Sequence, residues 1–262
     1  MTNVQVLSVS KQLGWRFLFL VLASTLCAGR AYGQEAPSPT LQILAERLDW
    51  DEKRLADWAD IARYREANAA LALPIANETR VVFMGDSITD AWGRDQGVFF
   101  PGKPYINRGI GGQTTSQMLL RFRPDVIALK PRVVVILGGI NDLAGSSAPA
   151  SLLAIEGNLA SMAELAQANG IKVVLASLLP VNDYHEPRTA NLPPARILEL
   201  NVWIKAYAKR KGVVYLDYYA AVLDDKHALK INLSRDGLHP NADGYAVMTP
   251  LALRAIQQAL AP

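Results

Sequence analysis

Hydrophobic and polar positions change period along the chain. Over residues 41–70 apolar side chains recur at helical spacing (Leu44, Leu48, Leu55, Trp58, Ile61), which predicts an amphipathic helical segment. Its polar face mixes acids with bases, whereas helices lying on membranes are rich in Lys and Arg. The stripe is therefore expected to pack against the rest of the domain. From residue 80 the pattern changes. The runs "RVVFM" (80–84), "PYINRGIGG" (104–112), "RVVVILGG" (132–139), "KVVLASLL" (172–179) and "VVYLDYY" (213–219) are strands or contain them. The unbroken apolar run of the third implies burial on both faces. Helices are predicted at about 114–129, 149–169, 194–211 and 241–260, with Gly170 and Gly212 closing the second and third. Strands alternating with helices, without an internal repeat, predict one α/β domain over 80–262. It has a five-stranded parallel sheet, helices on both faces and right-handed crossovers. Residues 34–79 are linker, "QEAPSPT" (34–40), and helical extension.

The first 33 residues belong to neither pattern. Lys11 and Arg16 precede an apolar run from Phe17 to Leu26, and Ala31 and Gly33 then supply small residues, the order of an export signal. The run falls short of the ~20 residues a membrane span takes, which favours a signal peptide over 1–33 above an uncleaved anchor helix. The expected location is periplasmic or secreted, without membrane association once the signal is removed. Cys27, the single cysteine, lies inside this segment, so neither a disulfide nor thiol chemistry is expected afterwards. A lipid anchor there is disfavoured by the bulky Leu26 before it. Charge points the same way. Lys11, Arg16 and Arg30 account for the whole net charge of +3, and from residue 34 onward 24 bases meet 24 acids. That balance gives no support to a nucleic-acid partner. A chain that is 50% hydrophobic can nevertheless bury a substantial core.

Polar signals interrupt the pattern at the carboxyl ends of the predicted strands, where open parallel sheets form their sites. Ser87 follows the first strand and Gly111-Gly112 the second. "GGIND" (138–142) follows the third, and "RDGLHPNADG" (235–244) lies between the fifth strand and the last helix. Singly, each has an ordinary use. Gly-Asp-Ser before a helix is often a cap, and Gly, Asn and Asp make turns. Together they hold what acyl transfer needs. A serine hydroxyl is activated by a base, usually His held by a carboxylate. His185 has acids nearby, Asp183 and Glu186, but none three residues before it. His227 has Asp224 three before it and His239 has Asp236, so spacing alone leaves both pairs open. His227 lies in the charged stretch "LDDKHALK", whereas one tight turn through Gly237 can present Asp236 and His239 on one side. His239 is the preferred base. The backbone N–H of Ser87, that of Gly112 and the Asn141 amide are candidate donors to an oxyanion, and glycine at 112 allows close approach. Trp92, Phe99, Phe100 and Tyr105 are expected in the core more than in a subsite.

With "GDSITD", "NRGIGGQTT", "GGIND" and "DGLHP" in this order over about residues 80–245, the chain resembles the SGNH hydrolases. These are the GDSL-type serine esterases that include platelet-activating-factor-acetylhydrolase-like and lysophospholipase or thioesterase relatives. The resemblance implies a three-layer α/β/α flavodoxin-like sandwich. It assigns Ser87 as nucleophile, His239 as base and Asp236 as its orienter. Ser87, Gly112 and Asn141 form the oxyanion hole, and no metal or organic cofactor takes part. Gln113 departs from the pattern, since many relatives carry Asp there. The expected activity is hydrolysis of short-chain, acetyl-type esters of a small molecule or polysaccharide through an acyl-serine. Longer acyl chains, or a non-catalytic carbohydrate-binding role, are the alternatives. Other readings lack residues they need. A dinucleotide fingerprint wants Gly at 114, where Thr stands. No Gly-Lys-Ser/Thr closes a P-loop, the Gly-x-Ser-x-Gly elbow is absent, and no paired histidines stand at metal-ligand spacing.

Overall fold

The five apolar runs become one sheet. Strands β1 (Val81–Gly85), β2 (Tyr105–Gly109), β3 (Val133–Leu137), β4 (Lys172–Ala176) and β5 (Val214–Leu216) pair in parallel in the order β2-β1-β3-β4-β5. The structure, a computed structural model, describes residues 38–145 and 150–261. The proposed signal peptide and Cys27 lie outside the described residues. Every residue of β1 and β3 is buried, as strands covered on both faces must be. Each fully buried Val, Ile or Leu there contributes roughly 1.5–3 kcal/mol.

The chain divides into two compact units, Met1–Asp51 and Glu52–Pro262. The described part of the first is helical, within α1 (Pro39–Ala56). The helical segment expected over 41–70 is made of several pieces in the second unit. A turn follows α1, then a short 3-10 helix (Ile61–Tyr64) and α2 (Arg65–Ala69). Asp57 causes the break: its carboxylate accepts the N–H groups of Ile61 and Ala62, both at 2.8 Å, and so caps a new helix. Asp60 then takes φ 50°, ψ 45°. The apolar stripe does not pack as its spacing leads one to expect, on either side of the break. Leu55, Trp58 and Ile61 are exposed, and Ala59 and Tyr64 are buried in their place.

Helix α3 (Ser87–Asp90) follows β1, α4 (Thr115–Asp125) follows β2, and α5 (Ile140–Leu143) and α6 (Leu152–Ala168) follow β3. Helix α7 (Pro194–Lys211) follows β4, and α8 (Tyr218–Val222) and α9 (Ala242–Leu260) follow β5. Helices α4, α6 and α7 pack side by side, while α9 lies along β3, β4 and β5. This is the three-layer flavodoxin-like arrangement. The predicted helix 114–129 is shorter because Pro124 cannot donate in its last turn, and a 3-10 turn (Ile127–Leu129) follows.

Register places the site. Gly85 is level with Gly109 on one side and Leu137 on the other, so β1, β2 and β3 end together. The winding reverses at β1, with β2 on one flank and every later strand on the other. A crevice opens at such a switch point, outside the carboxyl ends.

Candidate active site

Ser87 is the first residue of α3, but it is not the cap. Asp86 is, its Oδ1 accepting the Ile88 N–H at 3.0 Å. The serine hydroxyl is thereby left for another partner, and its Oγ stands 3.0 Å from His239 Nε2. The turn out of β1 is tight: a Cβ on Gly85 would come within 2.8 Å of the Leu137 carbonyl oxygen. Burial pushes the Asp86 carboxyl up to about 7, and its Oδ2 has no hydrogen-bond partner among the described residues.

His239 is presented by a knotted turn. Ser234 Oγ accepts the Gly237 N–H at 2.8 Å and donates to the His239 carbonyl at 3.0 Å. Asp236 Oδ1 accepts the backbone N–H groups of His239 at 2.8 Å and Leu238 at 3.0 Å. Its Oδ2 meets His239 Nδ1 at 2.7 Å. Gly237 has φ +86°, and a Cβ there would lie 2.4 Å from the Asn182 carbonyl oxygen, so both conformation and space demand glycine. Partial burial raises the Asp236 pKa, but the hydrogen bonds from His239 and Leu238 outweigh it and hold the carboxyl at about 2. An ionised carboxylate only accepts, so Nδ1 carries the ring proton and Nε2 of the neutral ring offers its lone pair to the Ser87 hydroxyl. Arg188, from the 181–193 loop, also reaches this carboxylate. Its Nη2 is 3.2 Å from Asp236 Oδ2 and its Nε donates to the Asp236 carbonyl at 3.1 Å.

The candidate oxyanion donors come off the three strands that end level. Ser87 follows β1, Gly112 follows β2 and Asn141 lies in α5 after β3. A Cβ on Gly111 would be 3.9 Å from Ser87 Cβ, which places the Gly111-Gly112 turn beside the serine. The Gly111 N–H is already spent on Asp90 Oδ2 at 3.2 Å. Those of Ser87 and Gly112 have no protein acceptor among the described residues. Gly112 adopts φ +76° and is exposed. Asn141 Nδ2 donates to the Gln113 carbonyl at 3.0 Å, which sets the amide next to the glycine turn. Buried Asp142 anchors α5 to the start of α4, accepting the Thr115 N–H at 2.9 Å and its hydroxyl at 2.6 Å.

Two histidines stay away from this cluster. His185 and His227 are both exposed. Asp224 spends its carboxylate on the N–H groups of Lys226 and Ala228, so the Asp224–His227 spacing belongs to a turn. The aromatics expected in the core are there. Trp92 stacks on Tyr245 with ring centroids 5.0 Å apart, and Phe83 packs against Trp92, Phe99, Phe100 and Tyr105. Sequence reasoning missed Arg188, which no motif marks and which lies 48 residues from Asp236. Among the described residues, no cluster of three or more His, Cys, Asp or Glu is placed to hold a metal ion, and no helix is long and apolar enough to cross a membrane.

A parallel sheet with a serine, imidazole and carboxylate relay at its switch point defines a hydrolase of the acyl-transfer class. The chain belongs to the GDSL-like lipase/acylhydrolase family, whose profile matches residues 83–247, and it is an enzyme of that ester-hydrolysing family. It is similar to a GDSL-like lipase from Bacteroides thetaiotaomicron VPI-5482, whose crystal structure is 46% identical with a TM-score of 0.72. That match covers 77% of this chain and 99% of the other. Esterase TesA of Pseudomonas aeruginosa is 32% identical over 177 residues, 61% of this chain and 79% of that protein. Uncharacterized lipoprotein YqeF of Bacillus subtilis (strain 168) is 37% identical over 79 residues, and this chain spans only 32% of its length.

Proposed function

We propose that the protein is a serine esterase acting outside the cytoplasm on short-chain acyl esters, acetyl esters first among them, of a small molecule or polysaccharide. The observation that carries the chemistry is the relay itself: Ser87 Oγ 3.0 Å from His239 Nε2, and His239 Nδ1 2.7 Å from Asp236 Oδ2. Ser87 Oγ attacks the acyl carbon while His239 Nε2 takes the hydroxyl proton, and the carbonyl oxygen becomes an oxyanion. The Ser87 and Gly112 N–H groups and the Asn141 amide receive that charge. The intermediate collapses by breaking the ester C–O bond. His239 passes its proton to the departing alkoxide, leaving an acyl-serine. Water, deprotonated by His239, then attacks the acyl carbon and releases the acid, and the proton returns to Ser87. Asp236 holds the ring in the reactive tautomer throughout.

Two features support short acyl groups. Ser87 and His239 are part-exposed and Gly112 is exposed, so the reacting groups are reachable directly from solvent. The aromatics that follow Ser87 before β2, Trp92, Phe99 and Phe100, are spent on packing with Phe83 rather than on lining an acyl tunnel. Action outside the cytoplasm rests on the residue order of 1–33. Ser87→Ala is expected to abolish p-nitrophenyl acetate hydrolysis with unchanged circular dichroism; retained turnover would refute the nucleophile. A p-nitrophenyl ester series beside acetylated xylan and lysophospholipid tests the substrate class. Rates should decline from acetate upward, and a maximum at long chains would refute the acyl preference.

A further inference from the structure

Residues 57–69 carry none of the four sequence blocks, yet their polar contacts bind β2, α4 and the loop between them that holds Gly112. Two glutamines one helical turn apart grip consecutive carbonyls of this segment. Gln117 Nε2 donates to Trp58 O and Gln113 Nε2 to Ala59 O, both at 2.7 Å. The Tyr64 hydroxyl donates to the carbonyl of Gly109, the last residue of β2. Farther along, Asn68 donates to Asp125 Oδ1 at 2.7 Å and accepts from Arg108 Nε at 2.9 Å.

Gln113 joins this segment to the site. Its Oε1 accepts from Arg121 Nε. The buried Arg121 guanidinium donates in turn to the Gly85 carbonyl at 3.0 Å and the Arg108 carbonyl at 2.9 Å, and pairs with buried Asp125 at 3.0 Å. The Gln113 backbone carbonyl accepts the Asn141 amide at 3.0 Å. A carboxylate at 113 could still accept from Arg121 but would turn a second acceptor toward the Ala59 carbonyl. Only a side chain that both donates and accepts serves both neighbours.

We propose that residues 57–69 are a brace for the oxyanion donors, with Gln113 the positioning residue that passes its hold to Gly112 and Asn141. This rests on the assignment of Gly112 and Asn141 as donors made above. Gly112 sits in an exposed turn at positive φ, and donors stabilise a developing charge only when fixed before it forms. A misplacement of about 1 Å can cost about a hundredfold in rate.

The test is kinetic, on the full chain with p-nitrophenyl acetate. Gln113→Glu keeps size and the acceptor for Arg121 but removes the donor to Ala59; kcat should fall about tenfold or more with KM within about twofold, a fraction of the misplacement cost. Asn141→Ala should lower kcat by about 10²–10³-fold. In the Asn141→Ala background, Gln113→Glu should cost less than it does in the wild type, because part of what it positions is gone. Tyr64→Phe, which removes one hydroxyl, should lower kcat in the same KM-neutral way and carries the test if Gln113→Glu fails to fold. Wild-type kcat in both Gln113→Glu and Tyr64→Phe, or an equal loss in both backgrounds, would overturn the brace while leaving the donors standing. An inert Asn141→Ala would instead overturn the donor assignment, and the brace with it.

Discussion

Asp86 and Ser87 divide two tasks that either side chain has the chemistry to perform, and burial decides which does which. Asp86 is sequestered and caps α3, while Ser87 faces the crevice and His239. The cost falls on Asp86. In the unfolded chain its carboxyl ionises near the usual 3.8, whereas in the fold burial keeps it protonated to about 7. Between those values the unfolded state has released a proton that the folded state still holds. Stability therefore declines as pH rises across that window and levels off above it. Asp86→Asn retains an acceptor for Ile88 and cannot ionise, so urea unfolding between pH 4 and pH 7 should show a flatter decline than the wild type. Asp236 has the opposite character. Asp236→Asn keeps an oxygen for the His239 and Leu238 N–H groups but turns a donor toward the ring, favouring the wrong tautomer. Its kcat should fall by roughly 10³–10⁴-fold, the size of that penalty in other Ser-His-Asp sites, with little change in KM. The pairing of Asp236 with His239 was legible because one turn joins them. Arg188 was not, because its contact with Asp236 exists only once the 181–193 loop has folded over.

At the scale of elements, what could be read was whatever carries a period or a long apolar run. Runs such as Val133–Leu137 have both faces buried and announce themselves as sheet. Helices of four or five residues, α2, α3, α5 and α8, have no period to detect, and two of them carry candidate site residues. The extension is helical but not continuous, for a related reason. The spacing from Leu44 to Ile61 is helical, but Asp57 caps a new turn in the middle of it, and a capping carboxylate outweighs a weak stripe. The turn 234–240 is the element on which the proposed chemistry depends most. Gly237→Ala would strain a left-handed backbone and drive a methyl into the Asn182 carbonyl. Denaturation should show a loss of roughly 1–3 kcal/mol. Because the same residue separates Asp236 from His239, kcat/KM should drop by about a hundredfold or more.

For the molecule as a whole, topology does what no single block does. Ser87 and His239 stand 152 positions apart in sequence and 3.0 Å apart in space because β1 lies at the switch point and the last loop returns to it. Block order was legible in the sequence and their meeting at one crevice followed from the parallel sheet, but the Gln113 and Asn68 contacts that tie residues 57–69 to it were not. Since Asp236 keeps its charge down to about pH 2, its protonation should add no second proton to the fall of kcat/KM on acidification above about pH 3. A two-proton slope in a pH–rate profile would contradict that expectation. The most direct test of the central claim is mass spectrometry of the intact protein after treatment with a fluorophosphonate, followed by peptide mapping. One adduct located on Ser87, absent from Ser87→Ala and lost from His239→Ala, is the predicted result. An actively hydrolysing protein that takes no adduct, or takes it on another residue, would contradict the account.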